Sequence, residues 1–410
     1  MCRLLENSNP LSVSIARQPV FDDTRRLWGY ELFCLGFPQE SSVAISVQSS
    51  AYVCLQQMTV RGKRIIIDFT EKSILQNLPY ALPPVLAVVK ISEQLLHRPS
   101  IMALLTDLRA DGYLIAVGDF TGNPEYDSLY KLAHILNVDV SQKNKEMLAP
   151  SLESARKYHA SLMATRVQNG GQFKLCQDLG FSFFHGPFFK SPDQITVRKL
   201  SSNEVLRLNL LKVMKSEEPS FARLAESIQA DPTISVRLLA YLNSAAFAIP
   251  QKIKSIQQAI VLLGWRNVRN WLRVVVLTDI SQGKDAQELV LLSAQRGYFL
   301  ELVARDHDFW GFEPESVHLL GLFSLLDALM GVPMADVVAN LPLDNKMKAA
   351  LCREQNNEYL PLLELAQDME EARWEDADRL MQQLNLNGGK VKTAFQTSVN
   401  WSSELESLRS

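Results

Sequence analysis

The first half of the chain alternates short β-rich runs with amphipathic segments, and this alternation strongly limits the folds open to it. Eight runs have strand character: VSIARQPVF, GYELFCLG, RIIIDF, LAVVKIS, YLIAVGDF, ILNVDVS, ASLMATRV and FSFFHGPF. Amphipathic segments such as SAYVCLQQM and SIMALLTDLRADG separate most of them. Strands that alternate with helices favour a parallel sheet, and eight in one domain favour a closed TIM-type (β/α)8 barrel.

The connection between the first two runs does not follow this pattern. Only DDTRRLW separates them, which is too short for a helical crossover. Two parallel neighbours need a crossover of a dozen or more residues, whereas an antiparallel pair needs only a turn. The sequence therefore predicts a barrel whose first strand is antiparallel.

The second half, from about Ser201, has a different periodicity. Segments such as NEVLRLNLLKVM, SVRLLAYLNSAAF and AQELVLLSAQRGYFLELVARD carry apolar residues at helical spacing. This favours an all-α bundle, joined to the barrel through the polar stretch FFKSPDQITVRKLSS. We expect a barrel domain over residues 1–195 and a helical domain over residues 196–410, with a polar, partly disordered tail after Leu386.

Composition narrows the functional classes. A chain of 410 residues exceeds the usual size of one hydrophobic core, which agrees with two domains. The formal net charge of −3 gives no overall attraction to nucleic acid or to an anionic membrane. The five cysteines form no CxxC pair, so the sequence suggests neither a zinc site nor a disulfide framework. The apolar runs are too short to span a membrane, and we expect a cytoplasmic protein.

The barrel half resembles a known family along its whole length. ARQPVFDDTRRLWGYELF, IIIDFTEKSI, VVKISEQLL, VGDFTGNPEYDSL, ILNVDV, ATRVQN and LGFSFFHGPFF are similar, in this order, to the motifs of EAL domains, which hydrolyse cyclic di-GMP. The resemblance covers about residues 13–192. It implies metal-assisted phosphodiester hydrolysis, in which carboxylates and an amide hold two divalent cations that activate a water molecule.

The residues that the resemblance would place in that site are largely changed. Glu31 matches the glutamate of the E-A-L triplet, and Asp68 stands where an asparagine would coordinate metal. Lys90 stands where a metal-binding glutamate belongs. Gly118 replaces the first aspartate of a D-D-F motif, and Thr165 replaces a catalytic glutamate. The remnant positions of the site are Gln18, Glu31, Asp68, Lys90, Asp119, Asp139, Thr165 and His185.

Several ligand-gripping positions are changed as well. Leu35 stands where an arginine would hold the dinucleotide, and Asn137 replaces a lysine near the attacking water. A lysine in place of a carboxylate removes an attraction of about 4 kcal/mol per unit charge pair at 4 Å and adds a comparable repulsion. We therefore expect no bound metal, no cofactor and no hydrolysis. Glu31 would then pair with Lys90 or be solvated.

The helical half resembles a second family. The segment IQADPTISVRLLAYLNSAAFAIPQKIKSIQQAIVLLGWRNVRNWL is similar to HDOD domains, all-α relatives of the HD phosphohydrolases, and the likeness extends over about residues 203–385. A literal His-Asp pair, His307 and Asp308, lies outside the matching position, where Ser324 and Leu325 stand instead. The resemblance implies a non-catalytic output or interaction module.

One helix of this half is a candidate interaction face. In GWRNVRNWLRVVVLTDI, Val268, Leu272 and Val275 share an apolar stripe, and arginines recur at helical spacing on another side. The candidate face consists of Lys252, Lys254, Arg266, Arg269 and Arg273. It could dock an acidic partner or a phosphate backbone, and the alternative is a solvated face beside a core stripe.

The sequence thus predicts an EAL-like barrel followed by an HDOD bundle, acting as a non-catalytic signal-transduction adaptor with protein partners. One alternative is a receptor that binds cyclic di-GMP without hydrolysing it, and another is a residual phosphodiesterase. Nucleic-acid binding through the basic helix is a third and less favoured alternative.

Overall fold

The structure is a computed structural model, and it describes residues 14–35, 63–94, 99–191, 261, 264–280, 285–307, 312–339 and 343–407. By their packing, the residues group into two compact units. One unit comprises Met1–Asp193 and Leu365–Val399, and the other comprises Gln194–Glu364 and Asn400–Ser410. The first division lies close to the boundary expected at residue 195. The return of residues 365–399 to the barrel unit was not expected from the sequence.

Eight strands close into a barrel in which each strand pairs with the next and β8 pairs with β1. The strands are β1 Ser14–Asp22, β2 Leu27–Leu35, β3 Arg64–Asp68, β4 Ala87–Ser92, β5 Leu114–Gly118, β6 Ile135–Asp139, β7 Ser161–Thr165 and β8 Phe183–His185. β1 runs antiparallel to both β2 and β8, while the other neighbours are parallel. The predicted antiparallel first strand is confirmed.

The β1–β2 turn shows why this connection can be so short. The Asp22 carboxylate accepts hydrogen bonds from the backbone N–H groups of Thr24 and Arg26, at 2.8 and 2.9 Å. Arg25 takes the left-handed conformation, with φ of 61°. An aspartate that bonds its own following backbone closes a turn locally. On β2, Gly29 is required by close packing, since a Cβ there would lie 2.5 Å from the Arg64 carbonyl oxygen.

The barrel helices are α1 Glu71–Leu75, α2 Pro99–Ala110, α3 Asp127–Leu132, α4 Lys145–Ala155 and α5 Gly170–Asp178. Short polar side chains begin several of them. Asn144 accepts from the Met147 N–H, and Asn169 accepts from the Gln172 N–H, each at 3.0 Å. Such caps contribute about 1 kcal/mol each.

The barrel interior is filled by apolar side chains, as in other (β/α)8 barrels. One buried cluster takes a side chain from most of the strands: Val20, Ile66, Val88, Ala116, Ile135 and Met163. Burying a side chain of this kind contributes about 1.5–3 kcal/mol. The barrel interior is therefore a packed apolar core, with a few polar side chains such as Glu31 and Asn137 on the strands themselves.

The helices described in the second half are α6 Trp265–Ile280, α7 Ala286–Asp306, α8 Pro314–Phe323, α9 Leu326–Met330, α10 Met334–Ala339, α11 Asn345–Leu351, α12 Leu360–Glu370, α13 Trp374–Gln383 and α14 Gly388–Ser407. α7 and α8 approach closely at two glycines. A Cβ on Gly321 would lie 2.7 Å from the Gly297 backbone nitrogen. None of the helices in the described part of the chain is both long and apolar enough to cross a bilayer.

The expected disordered tail after Leu386 is wrong. Residues Gly388–Ser407 form α14, and Val391, Phe395 and Val399 are fully buried on it. The sequence there looks polar because the buried residues are spaced three and four apart among polar ones. This spacing is the pattern of an amphipathic helix.

Candidate functional site

The remnant residues gather at the carboxyl ends of the barrel strands, the edge where (β/α)8 enzymes hold their active sites. Asp68, Asp139, Thr165 and His185 are the last residues of β3, β6, β7 and β8, and Asp119 directly follows β5. The register sets Asp68 beside Lys90 and sets Gln18, on the antiparallel β1, beside Glu31. We call this edge of the barrel, together with Glu31, Asp68, Lys90, Asp119 and His185, the barrel mouth.

Lys90 bridges two carboxylates at the mouth. Its ammonium nitrogen Nζ lies 2.7 Å from Glu31 Oε1 and 3.4 Å from Asp68 Oδ2. The Glu31 side chain is only 4% exposed and the Lys90 side chain 18% exposed, whereas Asp68 is 63% exposed. Of the two outcomes expected for Glu31, the structure shows the pair with Lys90. This contact was one of the two outcomes expected from the positions that the EAL resemblance assigns to Glu31 and Lys90 in one site.

Gly118 makes room for this lysine. A Cβ at Gly118 would lie 3.2 Å from Lys90 Cε. Any larger side chain at this position on β5 would crowd the aliphatic stem of Lys90, which extends from the neighbouring β4 toward Glu31 on β2. The two replacements seen in the sequence, a lysine at 90 and a glycine at 118, are therefore parts of one packing arrangement.

The charges of the bridge stabilise one another. Burial acts to raise the pKa of Glu31, but the charge of Lys90, the neighbouring His185 and the hydrogen bond from Lys90 together outweigh burial, and the pKa lies below its ordinary value. Burial acts to lower the pKa of Lys90, while Glu31 and Asp68 raise it above its ordinary value. Each partner holds the other in its charged form at neutral pH.

His185 lies against the same glutamate in its neutral form. Its Nδ1 is 3.6 Å from Glu31 Oε2. Burial lowers the pKa of His185, and the positive charges of Lys90 and Lys190 add to this effect, while Glu31 opposes it. The imidazole therefore carries no charge at neutral pH. Glu31 depends on Lys90 for its counter-ion.

Two polar side chains at the mouth leave buried atoms without hydrogen bonds inside the described part of the protein. Asn137 is 2% exposed, and neither its amide nitrogen nor its amide oxygen has a partner there. The buried Nε2 of His185 has none either. Buried polar atoms in native proteins are nearly always paired with protein, water or ligand. The floor of the mouth is thus polar and open to a further hydrogen-bonding group.

Of the remaining sequence-predicted residues, Asp119 lies near enough for its charge to raise the pKa of Lys90, and the others have partners elsewhere. Asp139 accepts from the backbone and hydroxyl of Ser141, at 2.8 and 2.6 Å, and pairs with Arg166 at 2.9 Å. Asp119 is exposed and has a left-handed φ of 53°. The Gln18 amide donates to the backbone carbonyl of Glu370, at 3.4 Å.

The residues present do not fit a divalent metal pair. The ammonium of Lys90 already lies within ion-pair distance of Glu31 and Asp68, the two carboxylates that the EAL resemblance would assign to metal. Among the described residues, no group of three or more His, Cys, Asp or Glu side chains is arranged to hold a metal ion. A cation brought to this place would meet a fixed positive charge rather than a third anionic ligand.

Sequence reasoning missed one charged group at the mouth. Lys190, in the short 3-10 helix Pro187–Lys190 after β8, lies 3.0 Å from Glu371 and 3.6 Å from Glu370. Both carboxylates lie near the other end of the sequence, so the residues around Lys190 do not predict these contacts. The one available signal was the acidic pair Glu370–Glu371, at the end of a helix that the sequence places in the second domain. Such a pair suggests a basic partner.

The candidate interaction face is corrected by the structure. Lys252 and Lys254 lie outside the described residues, and of Arg266 only the helical backbone is described. Arg269 and Arg273 are 3% and 1% exposed, so neither presents its charge to a partner or to solvent. Arg269 pairs with Glu315 at the start of α8. The helix buries two sides because a neighbouring helix supplies carboxylates, which periodicity within α6 does not reveal.

Around these arginines lies a buried charged group that we call the helical cluster. It consists of Arg269, Arg273, Glu301, Glu315 and His318. His318 Nδ1 lies 2.7 Å from Glu301 Oε2, and both side chains are 2% exposed. Burial, together with the charge of Arg273, lowers the pKa of His318 to about 4. His307, set aside as a motif, contacts the Val303 carbonyl through Nδ1 at 3.0 Å where α7 ends, and Asp308 lies outside the described residues.

Comparison with known proteins assigns the second half. Residues 201–369 match the family model of the HDOD domain. The chain carries an HDOD domain. Together with the closed eight-stranded barrel and its antiparallel first strand, this match confirms the predicted fold class, a barrel resembling that of EAL domains followed by a helical HDOD region.

Two relatives match along nearly the whole chain, HDOD domain included. The uncharacterized protein YuxH of Bacillus subtilis (strain 168) is 29% identical over 391 residues, which cover 92% of this chain and 95% of YuxH. The cyclic di-GMP phosphodiesterase CdgJ of Vibrio cholerae serotype O1 is 28% identical over 406 residues, covering 96% and 93%. Among solved structures, the EAL domain of Mycobacterium smegmatis DcpA is 15% identical, with a TM-score of 0.37, covering 43% of this chain and 90% of DcpA's.

Proposed function

We propose that this protein is a non-catalytic regulator in cyclic di-GMP signalling, with a degenerate EAL-like barrel and an HDOD output module that acts on protein partners. The observation that carries this proposal is the Lys90 bridge, 2.7 Å from Glu31 and 3.4 Å from Asp68. The name of the Vibrio cholerae relative supports the link to cyclic di-GMP. The catalytic status is inferred from this chain's own residues.

The electrostatics of the bridge argue against metal-assisted hydrolysis. A divalent ion about 4 Å from a lysine ammonium is repelled by roughly 8 kcal/mol at an effective dielectric constant near 20, twice the value for two unit charges. Metal-assisted cleavage needs ions that lower the pKa of water and neutralise the phosphate. Because the ammonium group of Lys90 already pairs with Glu31 and Asp68, the barrel mouth lacks the excess of negative charge that such ions require.

Hydrolysis and metal binding can be measured on the full-length chain. We expect no cleavage of cyclic di-GMP with Mg²⁺ or Mn²⁺ by liquid chromatography, and no heat of Mn²⁺ binding by calorimetry. Lys90→Glu is expected to gain Mn²⁺ binding, whereas the exposed Lys145→Glu on α4 serves as a matched control and gains none. Turnover by the unmodified protein that Glu31→Ala abolishes would show a residual phosphodiesterase and refute the proposal.

A receptor function is the second candidate, and the unpaired polar atoms at the floor of the mouth favour it. The amide of Asn137 and the Nε2 of His185 would gain hydrogen bonds from a polar ligand such as the dinucleotide. Calorimetry with cyclic di-GMP decides between the two functions. Binding at micromolar or tighter Kd that weakens at least tenfold in Asn137→Leu identifies a receptor, and no binding supports the adaptor.

A further inference from the structure

Residues 365–399, which we call the returning segment, contact the barrel through polar groups. The Gln396 side-chain oxygen accepts a hydrogen bond from the Ile15 N–H at 2.8 Å. The carbonyl of Glu370 accepts from the Gln18 amide at 3.4 Å. Lys190 pairs with Glu371 at 3.0 Å and with Glu370 at 3.6 Å. All of these atoms belong to the same compact unit of the protein.

The barrel partners of the returning segment lie at the mouth rather than at the opposite end. β1 is antiparallel to β2, and its first residue Ser14 pairs with Leu35, the last residue of β2. The start of β1, with Ile15, is therefore at the carboxyl edge of the parallel strands. Lys190 follows β8 at the same edge, and its charge contributes to the lowered pKa of His185. The contacts thus lie on the β8–β1 side of the mouth.

Burial at the mouth is uneven in a way that follows these contacts. On the side of the returning segment, Glu31 is 3% exposed and His185 is 8% exposed. On the opposite side, the Asp68 side chain is 63% exposed, and Asp119 is exposed as well. Among the described residues, the hydrogen bonds and ion pairs given above between the barrel and residues 365–399 lie on the less exposed side.

Buried ion pairs and buried apolar side chains hold the returning segment in position. The Lys190 side chain is 12% exposed, and its partners Glu370 and Glu371 are 4% and 19% exposed. Pairs this deeply buried are screened much less by salt than surface pairs are. Arg373 pairs with Asp368 at 2.6 Å and also with Glu371, which fixes the acidic turn from the other side. Behind it, Met369, Val391 and Phe395 are fully buried.

We propose that the β8–β1 side of the barrel mouth is an internal docking site for the acidic turn 368–371 of the returning segment, and that this docking closes the mouth on that side. The basic group is Lys190, the acidic groups are Glu370 and Glu371, and the hydrogen bonds of Gln18 and Ile15 fix the position. The segment continues at both ends into residues of the HDOD-containing unit, 364 and 400. The proposal holds whether or not the mouth binds a nucleotide.

Charge reversal with rescue tests the docking. Lys190→Glu places three carboxylates together and is expected to speed hydrogen–deuterium exchange in residues 388–399 at least tenfold. The double variant with Lys190→Glu and Glu371→Lys restores an opposite pair and is expected to return exchange toward that of the unmodified chain. Lys174→Glu, on an exposed pair with Asp178 in the same unit, is the control and leaves exchange in 388–399 unchanged.

Labelling at the contact itself tests the closure. A cysteine introduced by Gln18→Cys is expected to react with a maleimide at least tenfold more slowly than one introduced by Gln168→Cys, an exposed position after β7, with each site read by peptide mass spectrometry. Lys190→Glu is expected to remove this difference. Equal labelling at both sites in the otherwise unmodified chain overturns the proposal. If Lys190→Glu does not fold, Gln396→Ala, which removes the acceptor for Ile15, replaces it, and exchange in 388–399 that is unchanged there also overturns the proposal.

Discussion

The barrel mouth and the helical cluster both bury cations beside carboxylates, yet they differ in how far water reaches them. At the mouth, Lys90 is 18% exposed and its second partner Asp68 is 63% exposed. In the helical cluster, Glu301 and His318 are each 2% exposed. A lysine–carboxylate pair is therefore partly open to solvent at the mouth, and an imidazole–carboxylate pair is enclosed in the helical cluster. We therefore expect the free-energy cost of breaking a pair to follow its access to water.

The difference has a structural origin in the two folds. Strand ends face the opening of a barrel, so side chains at the ends of β3 and β4 keep a path to water. In the helical unit, α7 and α8 cross at Gly297 and Gly321, where a Cβ would meet backbone atoms within 3 Å. Such a close crossing keeps Glu301 and His318 buried between the helices. At its edges the helical cluster still reaches partly exposed groups, Arg305 and Glu315.

The largest effect is expected from Glu301→Ala. It removes the carboxylate that pairs with His318 and Arg305, and it leaves the buried guanidinium of Arg273 with less counter-charge. Breaking a buried pair from one side costs about 3–5 kcal/mol, so the free energy of unfolding should fall by that amount in urea titrations. The exposed Glu358→Ala, which loses a surface pair with Lys346, is the control and should leave the urea midpoint unchanged. A loss in Glu301→Ala no larger than in the control would show that water reaches the helical cluster.

The pH dependence of stability is expected to reveal the enclosed histidine. The pKa of His318 falls from an ordinary 6.5 to about 4, so the unfolded chain binds this proton first. Stability contributed by the neutral imidazole is complete above pH 6.5 and is lost as the pH falls toward 4. At about 1.4 kcal/mol per pKa unit, the loss is roughly 3 kcal/mol.

The variant His318→Gln isolates this contribution from those of other groups. It should flatten the decline of stability between pH 6.5 and 4, measured as urea midpoints across the range. His159→Gln, at an exposed position, should leave the slope as it is. An unchanged slope in His318→Gln would mean that the imidazole is solvated, and the contrast with the barrel mouth would then disappear.

Lys90→Met is expected to have an intermediate effect at the mouth. It leaves Glu31 buried without a counter-ion, but the bridge is partly open, so we expect a loss of about 2–3 kcal/mol at pH 7, below the range for a fully enclosed pair. Because Lys90 lowers the pKa of Glu31 in the folded protein, its contribution exists above pH 4.5 and is lost at lower pH. The difference between the unmodified chain and Lys90→Met should shrink on acidification, and Lys145→Met should show no such trend.

The sequence predicts those features of the fold and of the site that depend on residues close together in the chain, and it misses those that depend on distant residues. The barrel and its antiparallel first strand follow from strand periodicity and from a short connection. The Glu31–Lys90 pair was one of two outcomes expected from the EAL resemblance, which places both residues in one site. Arg269 and Arg273 were misread because helical periodicity separates two sides of α6 without saying that a carboxylate on α8 covers the second. The contact of Lys190 with Glu371 joins residues 181 positions apart, and nothing near either residue indicates the other.

The smallest effect on the free energy of unfolding is expected for Arg166→Gln, which breaks the solvent-exposed pair of Arg166 with Asp139. The Arg166 side chain is 67% exposed, and its partner Asp139 keeps two hydrogen bonds from Ser141 when the arginine is gone. An exposed pair contributes at most about 1 kcal/mol, and salt near 1 M reduces the Debye length to about 3 Å and should remove even that difference. Urea midpoints of the unmodified chain and Arg166→Gln at low and high salt measure it. A salt-independent loss as large as that of Lys90→Met would show that position within the mouth, rather than access to water, sets the cost of breaking a pair.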